Sequence, residues 1–440
     1  MSTKTLCCDQ SACHDYLQLG WRAPRGRIAM ISMHTCPLAM LGGKNTGGMN
    51  VYVRELSREL GRRGWAVDIF THAQSSERPA VIHMARNVRV IHVQAGPVQH
   101  VDKNELFQYV PEFAENIVEM AAEAGIYYDV IYSHYWLSGL VAERLREVWD
   151  VPFIQMFHTL GKMKNRVAQR IEERELDLRI RSETRLMHSA DRLIAANPID
   201  RQHMLDLYRA SPGKIEVVPC GVDLSLFRPI PQEEAREELG VPEDKKLLVF
   251  VGRIEPLKGI DTLLHAIAQV VKVSPEWRKH LILAIIGGSS EDDAESMTAE
   301  MRRLRDLREE LGIRDVVCFL GAQAQETLPY FYAAAEAVIM PSHYESFGMV
   351  ALEATACGTP VIASEVGGLT YTINDGENGF LISPKRPDLL ADKVLQLLEN
   401  PQLRRRMGRL GTERAIRFGW PAVADQILAT VRDLRKARAA

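Results

Sequence analysis

The sequence lacks the features that mark membrane, secreted and nucleic-acid-binding proteins. No apolar run in the 440 residues approaches the roughly 20 residues of a membrane span. The formal net charge of −3 gives no electrostatic reason to bind nucleic acid or a membrane surface. The segment that begins at Met1 has no basic end followed by an apolar core, so we expect no secretory signal and a cytoplasmic location.

Cysteine is sparse, and the seven cysteines form an odd count without disulfide-like spacing. Four of them lie beside apolar runs and are predicted to be buried thiols: Cys36, Cys220, Cys318 and Cys357. The other three cluster with a histidine near the start: Cys7, Cys8, Cys13 and His14. Such ligands could bind zinc, but adjacent Cys-Cys and Cys-His pairs fit poorly with chelate spacing, so we favour a mobile tail.

Two common nucleotide-binding motifs are also absent from the glycine-rich stretch between Leu41 and Asn50. A strand is predicted before this stretch and a helix after it, a geometry that brings backbone amides against a phosphate. The spacing is neither G-x-G-x-x-G nor the P-loop pattern, so neither nicotinamide binding nor ATP hydrolysis is supported. Taken alone, the glycines could equally form only a flexible loop.

What the chain does contain is a regular alternation of strands and helices, which predicts parallel sheets covered on both faces. With 46% hydrophobic and 25% charged residues, 440 residues suggest two or three globular domains. A Pro- and Gly-rich hinge is predicted at 219–231. We expect an extension at 1–24, a first α/β domain at 25–221, a second at 222–418 and a C-terminal helix at 419–440.

The predicted elements follow this rhythm from end to end. Strands of the first domain are expected near 27–33, 67–70, 88–93, 130–132, 153–157 and 192–196. Strands of the second domain are expected near 247–251, 281–286, 316–320, 337–340, 360–363 and 379–382. Helices are expected near 49–61, 111–124, 168–190, 388–398, 403–418 and 421–436. Polar residues just past strand ends are where such sheets bind ligands.

The stretch from His343 to Ile362 organises the second domain, because it reads as loop, helix and strand after a buried strand. A helix that begins just after a strand points its free N–H groups at the edge of the sheet, which makes an anion site. Glu345 lies in the loop and Glu353 is expected about two turns into the helix. Their separation of about 12 Å would span the sugar and ribose of a nucleotide sugar. A solvated glutamate at each end is the alternative.

Glu345-Ser-Phe-Gly and Glu353, followed by Gly-Thr-Pro-Val-Ile, closely resemble the E-x7-E signature of retaining glycosyltransferases with the GT-B fold. The match falls in the family of sucrose synthases, sucrose-phosphate synthases and the inositol-phosphate glycosyltransferases of mycothiol synthesis. The resemblance extends from about residue 27 to about 430. It implies an α/β protein of two Rossmann-like parallel-sheet domains facing a central cleft, with the last helix returning to the first domain.

The resemblance also implies how the donor is bound. Arg253 and Lys258 lie in the pattern G-R-x-x-x-x-K-G, where the family holds the diphosphate. Cations there can neutralise the leaving nucleoside diphosphate, whereas two solvated surface cations are the alternative. The implied donor-binding residues are Gly48, Arg253, Lys258, Glu345, Ser346, Phe347, Gly348, Met349, Val350 and Glu353.

The implied catalytic residues are His158, Glu345, Arg253 and Lys258. By resemblance, His158 lines the donor sugar, although a histidine after a strand is more often structural. Retaining enzymes of this fold are thought to work by departure and attack on one face, with the leaving phosphate taking the acceptor proton. Glu345 is then expected to be a sugar ligand, not a covalent nucleophile, and His158 is not expected to be a general base.

The implied acceptor-binding residues are Asn50, Lys103, Tyr135, Thr159 and Arg179. By resemblance to the inositol-phosphate enzymes, Asn50 contacts the polyol ring and the other four hold a phosphate. The sequence at 106–113 and 161–165 is instead more similar to the sucrose-phosphate synthases, which use fructose 6-phosphate. A phosphorylated polyol or hexose is therefore better supported than either acceptor by name.

The predicted reaction is transfer of glucose or N-acetylglucosamine, with retention, from a UDP-sugar to a phosphorylated acceptor such as inositol phosphate. The alternatives are transfer to fructose 6-phosphate, a nucleotide-sugar epimerase, and a non-catalytic nucleotide-sugar binding protein. No D-x-D pair occurs, so we expect no metal site, no required cofactor and no essential magnesium. The expected partners are the two small substrates, without nucleic acid, and a homodimer is possible.

Overall fold

The computed structural model describes residues 24–39, 46–99, 101–168, 170–289 and 297–439. The cysteine cluster at Cys7, Cys8, Cys13 and His14 lies outside these residues, as does the first half of the glycine-rich stretch, 41–45. Within the described ranges the chain forms two separate β-sheets, each covered by helices. Their strands are largely buried, as expected for parallel sheets with helices on both faces.

The first sheet has eight strands in the order β3-β4-β2-β1-β5-β6-β7-β8, all parallel except β3, which pairs antiparallel with β4. These strands are β1 Arg27–Ile31, β2 Ala66–His72, β3 Val81–Ala85, β4 Val88–Val93, β5 Val130–His134, β6 Phe153–Met156, β7 Arg192–Ala195 and β8 Ile215–Val217. The strand order reverses at β1, which lies between β2 and β5. Such a reversal opens a crevice at the carboxyl ends of the strands, where ligands bind.

The helices of this half are α1 Gly48–Arg62, α2 Val110–Glu123, α3 Tyr135–Trp149, α4 Gly161–Val167, α5 Asp177–Ser189 and α6 Pro198–Tyr208. The single helix expected over 168–190 is wrong, because the chain forms α4, then an irregular segment, then α5. The backbone N–H of Glu175 donates to Asn165 Oδ1 at 2.7 Å. This side-chain bond offers the backbone an alternative to the helical pattern just before α5.

The second sheet is entirely parallel, with six strands in the order β11-β10-β9-β12-β13-β14. These are β9 Lys246–Val251, β10 Leu281–Ile286, β11 Val317–Gly321, β12 Ala337–Met340, β13 Val361–Ser364 and β14 Gly379–Ile382. The helices that follow the hinge are α7 Gln232–Leu239, α8 Ile260–Val273, α9 Ala299–Glu310, α10 Leu328–Ala334, α11 Met349–Ala356, α12 Leu369–Thr372, α13 Pro387–Glu399, α14 Pro401–Ala415 and α15 Trp420–Ala439. The strand order of this second sheet reverses at β9, which opens a second crevice. This crevice faces the crevice of the first sheet.

The last helix, α15, packs on the first sheet's half of the molecule, as the resemblance implied. Trp420 meets Tyr52 of α1 with ring centroids 5.5 Å apart, and Asp425 pairs with Arg63 at 2.7 Å. The chain passes between the two halves near Val222 and returns near Phe418. These two crossings run side by side, since the N–H of Val222 donates to the carbonyl of Phe418 at 2.8 Å. The division into domains at 221 and 418 remains a prediction.

Three of the four cysteines predicted to be buried are buried: Cys36, Cys220 and Cys357. The prediction for Cys318 is wrong, because Cys318 is exposed. Cys318 lies in β11, the edge strand of the second sheet, where alternate side chains face outward: Val317 and Phe319 are buried on either side of it.

Candidate active site

The carboxyl ends of the two sheets face one cleft with a cavity of about 310 Å³. Residues that follow β1, β5 and β6 meet residues that follow β9 and β12 there. All residues assigned by resemblance to donor, acceptor or catalysis border this cavity: Gly48, Asn50, Lys103, Tyr135, His158, Thr159, Arg179, Arg253, Lys258, Glu345, Ser346, Phe347, Gly348, Met349, Val350 and Glu353. The fold therefore brings together every side chain that the motifs had singled out.

The loop between β12 and α11, which contains Glu345, is held in place by glycines. Gly348 caps α11 with a φ of +84°, a left-handed conformation that favours glycine. Gly367 has a φ of +45°, and a Cβ there would lie 2.1 Å from the carbonyl oxygen of Glu345. The N–H of Gly368 donates to that same carbonyl at 2.9 Å. These contacts hold Glu345 at the mouth of α11, whose N-terminal N–H groups face the cleft.

The two cations after β9 lie on the same side of the cleft. Lys258 Nζ forms an ion pair with Glu345 Oε2 at 2.5 Å. Arg253 pairs with Glu255 at 2.6 Å and keeps 38% of its side chain exposed. Its Nε lies 3.8 Å from where a Cβ on Gly47 would be, so Arg253 reaches across to the N-terminus of α1. Two cations and two helix N-termini thus converge on one part of the cavity, which suits a diphosphate.

Glu353 is more buried than Glu345, the other glutamate of the E-x7-E signature. It is 6% exposed, and the Tyr332 hydroxyl donates to its Oε2 at 2.9 Å. Burial raises the pKa of the Glu353 carboxyl to about 7, against the opposing hydrogen bond from Tyr332. The expected position two turns into the helix is wrong: α11 begins at Met349, so Glu353 follows it by only one turn.

His158 borders the cleft from the first sheet. Its backbone has a φ of +60°, a left-handed conformation that is uncommon for residues other than glycine. Its Nε2 lies 3.0 Å from Nδ1 of His134. Burial lowers the pKa of His158 to about 3, so the imidazole is neutral at physiological pH.

Four of the predicted acceptor residues form a tight cluster around Arg179, which is buried. Its guanidinium donates to the Tyr135 hydroxyl at 3.0 Å, to the Thr159 carbonyl at 2.8 Å and to Thr159 Oγ1 at 3.1 Å. Glu183 accepts from Arg179 Nε at 2.7 Å. Lys103 completes the group by way of Glu175, whose Oε1 is 3.9 Å from Lys103 Nζ and 2.9 Å from Arg179 Nη1.

The sequence analysis missed two members of this cluster, Lys164 and Glu175. Lys164 borders the cavity and its Nζ is paired with Glu175 Oε1. Burial alone would raise the pKa of Glu175, but Arg179, Lys164 and Lys103 lower it to about 2. Three cations thus gather with the two carboxylates of Glu175 and Glu183, leaving positive charge at this end of the cleft. We call Lys103, Lys164 and Arg179 the anion pocket.

Asn50 borders the cleft, but its amide serves the loop beside it. Its Nδ2 donates to Thr35 Oγ1 at 2.7 Å and to the Cys36 carbonyl at 2.8 Å. Its Oδ1 accepts from the Gly47 N–H at 2.9 Å. Asn50 thereby shapes the N-terminus of α1, and its expected contact with a polyol ring remains a prediction.

Two residues that the sequence analysis missed, Asn197 and Asp200, connect the first half to Ser346 in the β12–α11 loop. Ser346 Oγ donates to Asp200 Oδ2 at 2.5 Å, and Asn197 Nδ2 donates to the Ser346 carbonyl at 2.5 Å. Both partners belong to the start of α6, where Asn197 is the N-cap. Burial raises the pKa of Asp200 to about 7, and the charge of Glu345 adds to this. Their position after β7 was the one available signal.

Within the described ranges, no three or more His, Cys, Asp or Glu side chains are grouped so that they could hold a metal ion. A search of the same residues finds no helix with the length and apolar character needed to cross a membrane.

Two facing α/β sheets, with cations, helix N-termini and paired glutamates at their carboxyl edges, define a glycosyltransferase of the GT-B fold. Family models agree: residues 46–226 match "Glycosyltransferase Family 4" and residues 231–414 match "Glycosyl transferases group 1". A D-inositol 3-phosphate glycosyltransferase of Kribbella flavida is 43% identical over 95% of this chain and 98% of its own. The chain belongs to this glycosyltransferase family, which confirms the predicted family and enzyme class.

Other relatives support the same family assignment. A second D-inositol 3-phosphate glycosyltransferase, from Catenulispora acidiphila, is 42% identical over 94% of this chain and 97% of its own. The solved structure of a sucrose-phosphate synthase from Thermosynechococcus elongatus superposes with a TM-score of 0.85 and 36% identity, covering 94% of this chain and 100% of that one. Anabaena HepE with UDP and glucose superposes at 0.72 with 22% identity, over 93% of this chain and all of its own, and supports the fold alone. The predicted GT-B fold is confirmed.

Proposed function

We propose that this glycosyltransferase moves glucose or N-acetylglucosamine from a UDP-sugar to a phosphorylated polyol or sugar, with retention at the anomeric carbon. The anion pocket carries the proposal, because Lys103, Lys164 and Arg179 converge on one end of the cleft. Cations with a phenol and a hydroxyl beside them suit a phosphate dianion. An inositol phosphate is the preferred acceptor, since relatives that are 43% and 42% identical over 98% and 97% of their own length are named for D-inositol 3-phosphate.

The donor would lie along α11. Arg253, Lys258 and the N-terminus of α11 would hold the diphosphate and stabilise the charge that develops on the leaving UDP. Glu345 would accept hydrogen bonds from sugar hydroxyls and Glu353 from ribose hydroxyls. Neutral His158 would contact the sugar. In this account the leaving phosphate takes the acceptor proton and the protein supplies position and charge, so no divalent metal is essential.

A substrate panel tests the proposal. UDP release is measured with UDP-glucose and UDP-N-acetylglucosamine, each offered D-inositol 3-phosphate, fructose 6-phosphate, free inositol and free fructose. We expect strong release with one phosphorylated acceptor and a product that keeps the donor's anomeric configuration. Release only with a free sugar would contradict the proposal.

Two controls accompany the panel. Turnover should survive an excess of EDTA, and complete loss that magnesium restores would overturn the metal-independent account. Release of UDP without any acceptor, or interconversion of donor sugars, would instead favour an epimerase or a hydrolytic enzyme.

Fructose 6-phosphate remains the second candidate acceptor, because the sucrose-phosphate synthase structure is 36% identical over 94% of this chain. The anion pocket would serve either acceptor, so the panel decides between them by the relative kcat/KM. A cytoplasmic location and a homodimer stay predictions.

A further inference from the structure

His134 lies directly behind His158, on the side away from the cleft. It ends β5, while His158 follows β6, and these neighbouring parallel strands bring the two rings together. His134 is buried at 0% exposure and does not border the cleft, whereas His158 is only partly buried and does. The two imidazole rings are tilted by 41° with their centroids 5.2 Å apart, and His134 Nδ1 and His158 Nε2 are 3.0 Å apart.

A hydrogen bond between two neutral imidazoles needs one proton, and its position decides what each ring offers elsewhere. If His134 Nδ1–H donates, His158 Nε2 accepts and His158 carries its proton on Nδ1. If His158 Nε2–H donates, then His158 Nδ1 is a bare acceptor and His134 carries a proton on Nε2. The first state gives His158 a donor for the cleft, and the second gives it an acceptor.

The surroundings of His134 favour the first state. Its Nε2 is buried and has no hydrogen-bond partner among the described residues. The ring lies among the aromatic side chains of Tyr52 and Tyr132, with centroids 5.6 and 4.4 Å away. The hydroxyls of these tyrosines are bonded to each other at 2.9 Å. Orphaned buried N–H groups are rarer in proteins than acceptors lacking a partner, so Nε2 is the nitrogen without the proton.

We propose that His134 is a positioning residue: its Nδ1–H donates to Nε2 of His158 and fixes His158 as the tautomer protonated on Nδ1. His158 then presents an N–H donor on its remaining edge, which suits a hydroxyl oxygen of the bound sugar. A ring in this state cannot take a proton from the acceptor at Nδ1, which agrees with His158 having no role as a general base. That the donor's partner is a sugar hydroxyl rests on the proposed function.

Nuclear magnetic resonance of the free protein tests the tautomer directly. Histidine is labelled with ¹⁵N, and the signals are assigned by comparison with His134→Gln and His158→Gln. We expect long-range proton–nitrogen correlations that place the proton of both rings on Nδ1 near neutral pH. A proton on Nε2 of His158 would overturn the proposal. This measurement needs no substrate, so it stands even if the proposed function fails.

Kinetics of two variants test the consequence. His134→Asn keeps an N–H donor near the position of Nδ1, whereas His134→Leu removes it. We expect His134→Leu to raise the KM for the UDP-sugar about tenfold and to lose the Nδ1 preference of His158, and His134→Asn to stay within about threefold of the wild type. The exposed His83, on the edge strand β3, is changed to Asn as the control and should alter neither property.

Equal losses in His134→Asn and His134→Leu, with the same His158 tautomer as the wild type in both, would make His134 a packing residue only and would refute the positioning role. A wild-type enzyme that shows the Nδ1 tautomer but transfers no sugar would instead leave the histidine pair established and reject the proposed function.

Discussion

At the scale of single residues, the proposed mechanism relies on charges held in place instead of on proton exchange. His158 is neutral because burial lowers its pKa to about 3, and Lys258 is tied to Glu345 in an ion pair. Arg253 keeps its guanidinium partly exposed in the cleft. Fixed cations near a leaving diphosphate stabilise the transition state more than the ground state, because charge on that group grows as the glycosidic bond breaks.

The first prediction follows from this charge. Lys258→Ala removes the cation that pairs with Glu345 and faces the cavity, so kcat should fall by roughly 10²- to 10³-fold. Steady-state kinetics with the best substrate pair measure the loss. Lys272→Ala, at the exposed end of α8, is the control and should keep the wild-type rate. A Lys258→Ala enzyme within fivefold of the wild type would contradict the role of this cation.

The second prediction concerns the cation that the sequence did not reveal. Lys164→Ala weakens the anion pocket, so the KM for a phosphorylated acceptor should rise roughly tenfold while the KM for the donor stays unchanged. Arg166→Ala, on the same helix but exposed, provides the comparison. If both variants behave alike, or if the donor KM rises instead, Lys164 does not serve the acceptor.

At the scale of elements, loops that follow parallel strands and the helices after them build the site together. Lys164, Arg179 and Glu353 lie on the helices. The β12–α11 loop packs against Gly367 and Gly368 on one side. On the other side it is bonded to the start of α6, through Ser346 and Asp200. Asp200 has one carboxyl oxygen bonded to Ser346 and the other buried without a partner in the described structure. A buried carboxyl in this position is more stable when protonated.

The third prediction is a pH dependence of stability. The pKa of Asp200 in the folded protein, about 7, lies above its value in the unfolded chain. The stabilisation that Asp200 adds to the free energy of unfolding is therefore fully present below about pH 4 and is lost as the pH rises through 7. Asp200→Asn should therefore gain about 3 kcal/mol of unfolding free energy relative to the wild type between pH 4 and pH 8. Urea unfolding at both pH values measures this difference. Asp206→Asn, exposed on the same helix, should show none, and a pH-independent difference for Asp200→Asn would contradict the prediction.

How much of this was readable from the sequence depends on the range of the contact. The residues that the resemblance assigns to the donor, Arg253, Lys258 and Glu345, lie in contiguous motifs. Each motif folds as one strand–loop–helix unit, so its location was predictable. Asp200 and Ser346 are 146 residues apart, and no local pattern brings them together. Glu175 was read as part of a long helix because its run is charged throughout, but the bond to Asn165 places it in a loop.

At the scale of the whole molecule, the chain crosses between the two halves twice, and the crossings are bonded to each other at Val222 and Phe418. The C-terminal helix α15 anchors the second crossing to the first half through Trp420 and Asp425. Composition and periodicity alone did not indicate this return, whereas the family resemblance did. Closure of the halves over substrate would bend the chain at these paired crossings.

The fourth prediction tests that anchor. A Cβ on Gly221 would lie 2.4 Å from the ring of Trp420, so Gly221→Ala must push the ring and α15 away from the first half. We expect the free energy of unfolding to fall by about 1–3 kcal/mol and the melting temperature to fall with it. Gly213→Ala is the matched control, because a Cβ there meets nothing within 4 Å. Equal melting temperatures for the two variants would show that α15 is not packed as described.

The proposed function requires that the cleft select a phosphorylated acceptor over the free polyol. The most direct test is the ratio of kcat/KM for D-inositol 3-phosphate to that for free inositol, measured with UDP-N-acetylglucosamine and then with UDP-glucose. Charge-assisted hydrogen bonds from the anion pocket predict a ratio of roughly 10² or more, which falls in Lys164→Ala. A ratio near one, with good turnover of the free polyol, would contradict the account.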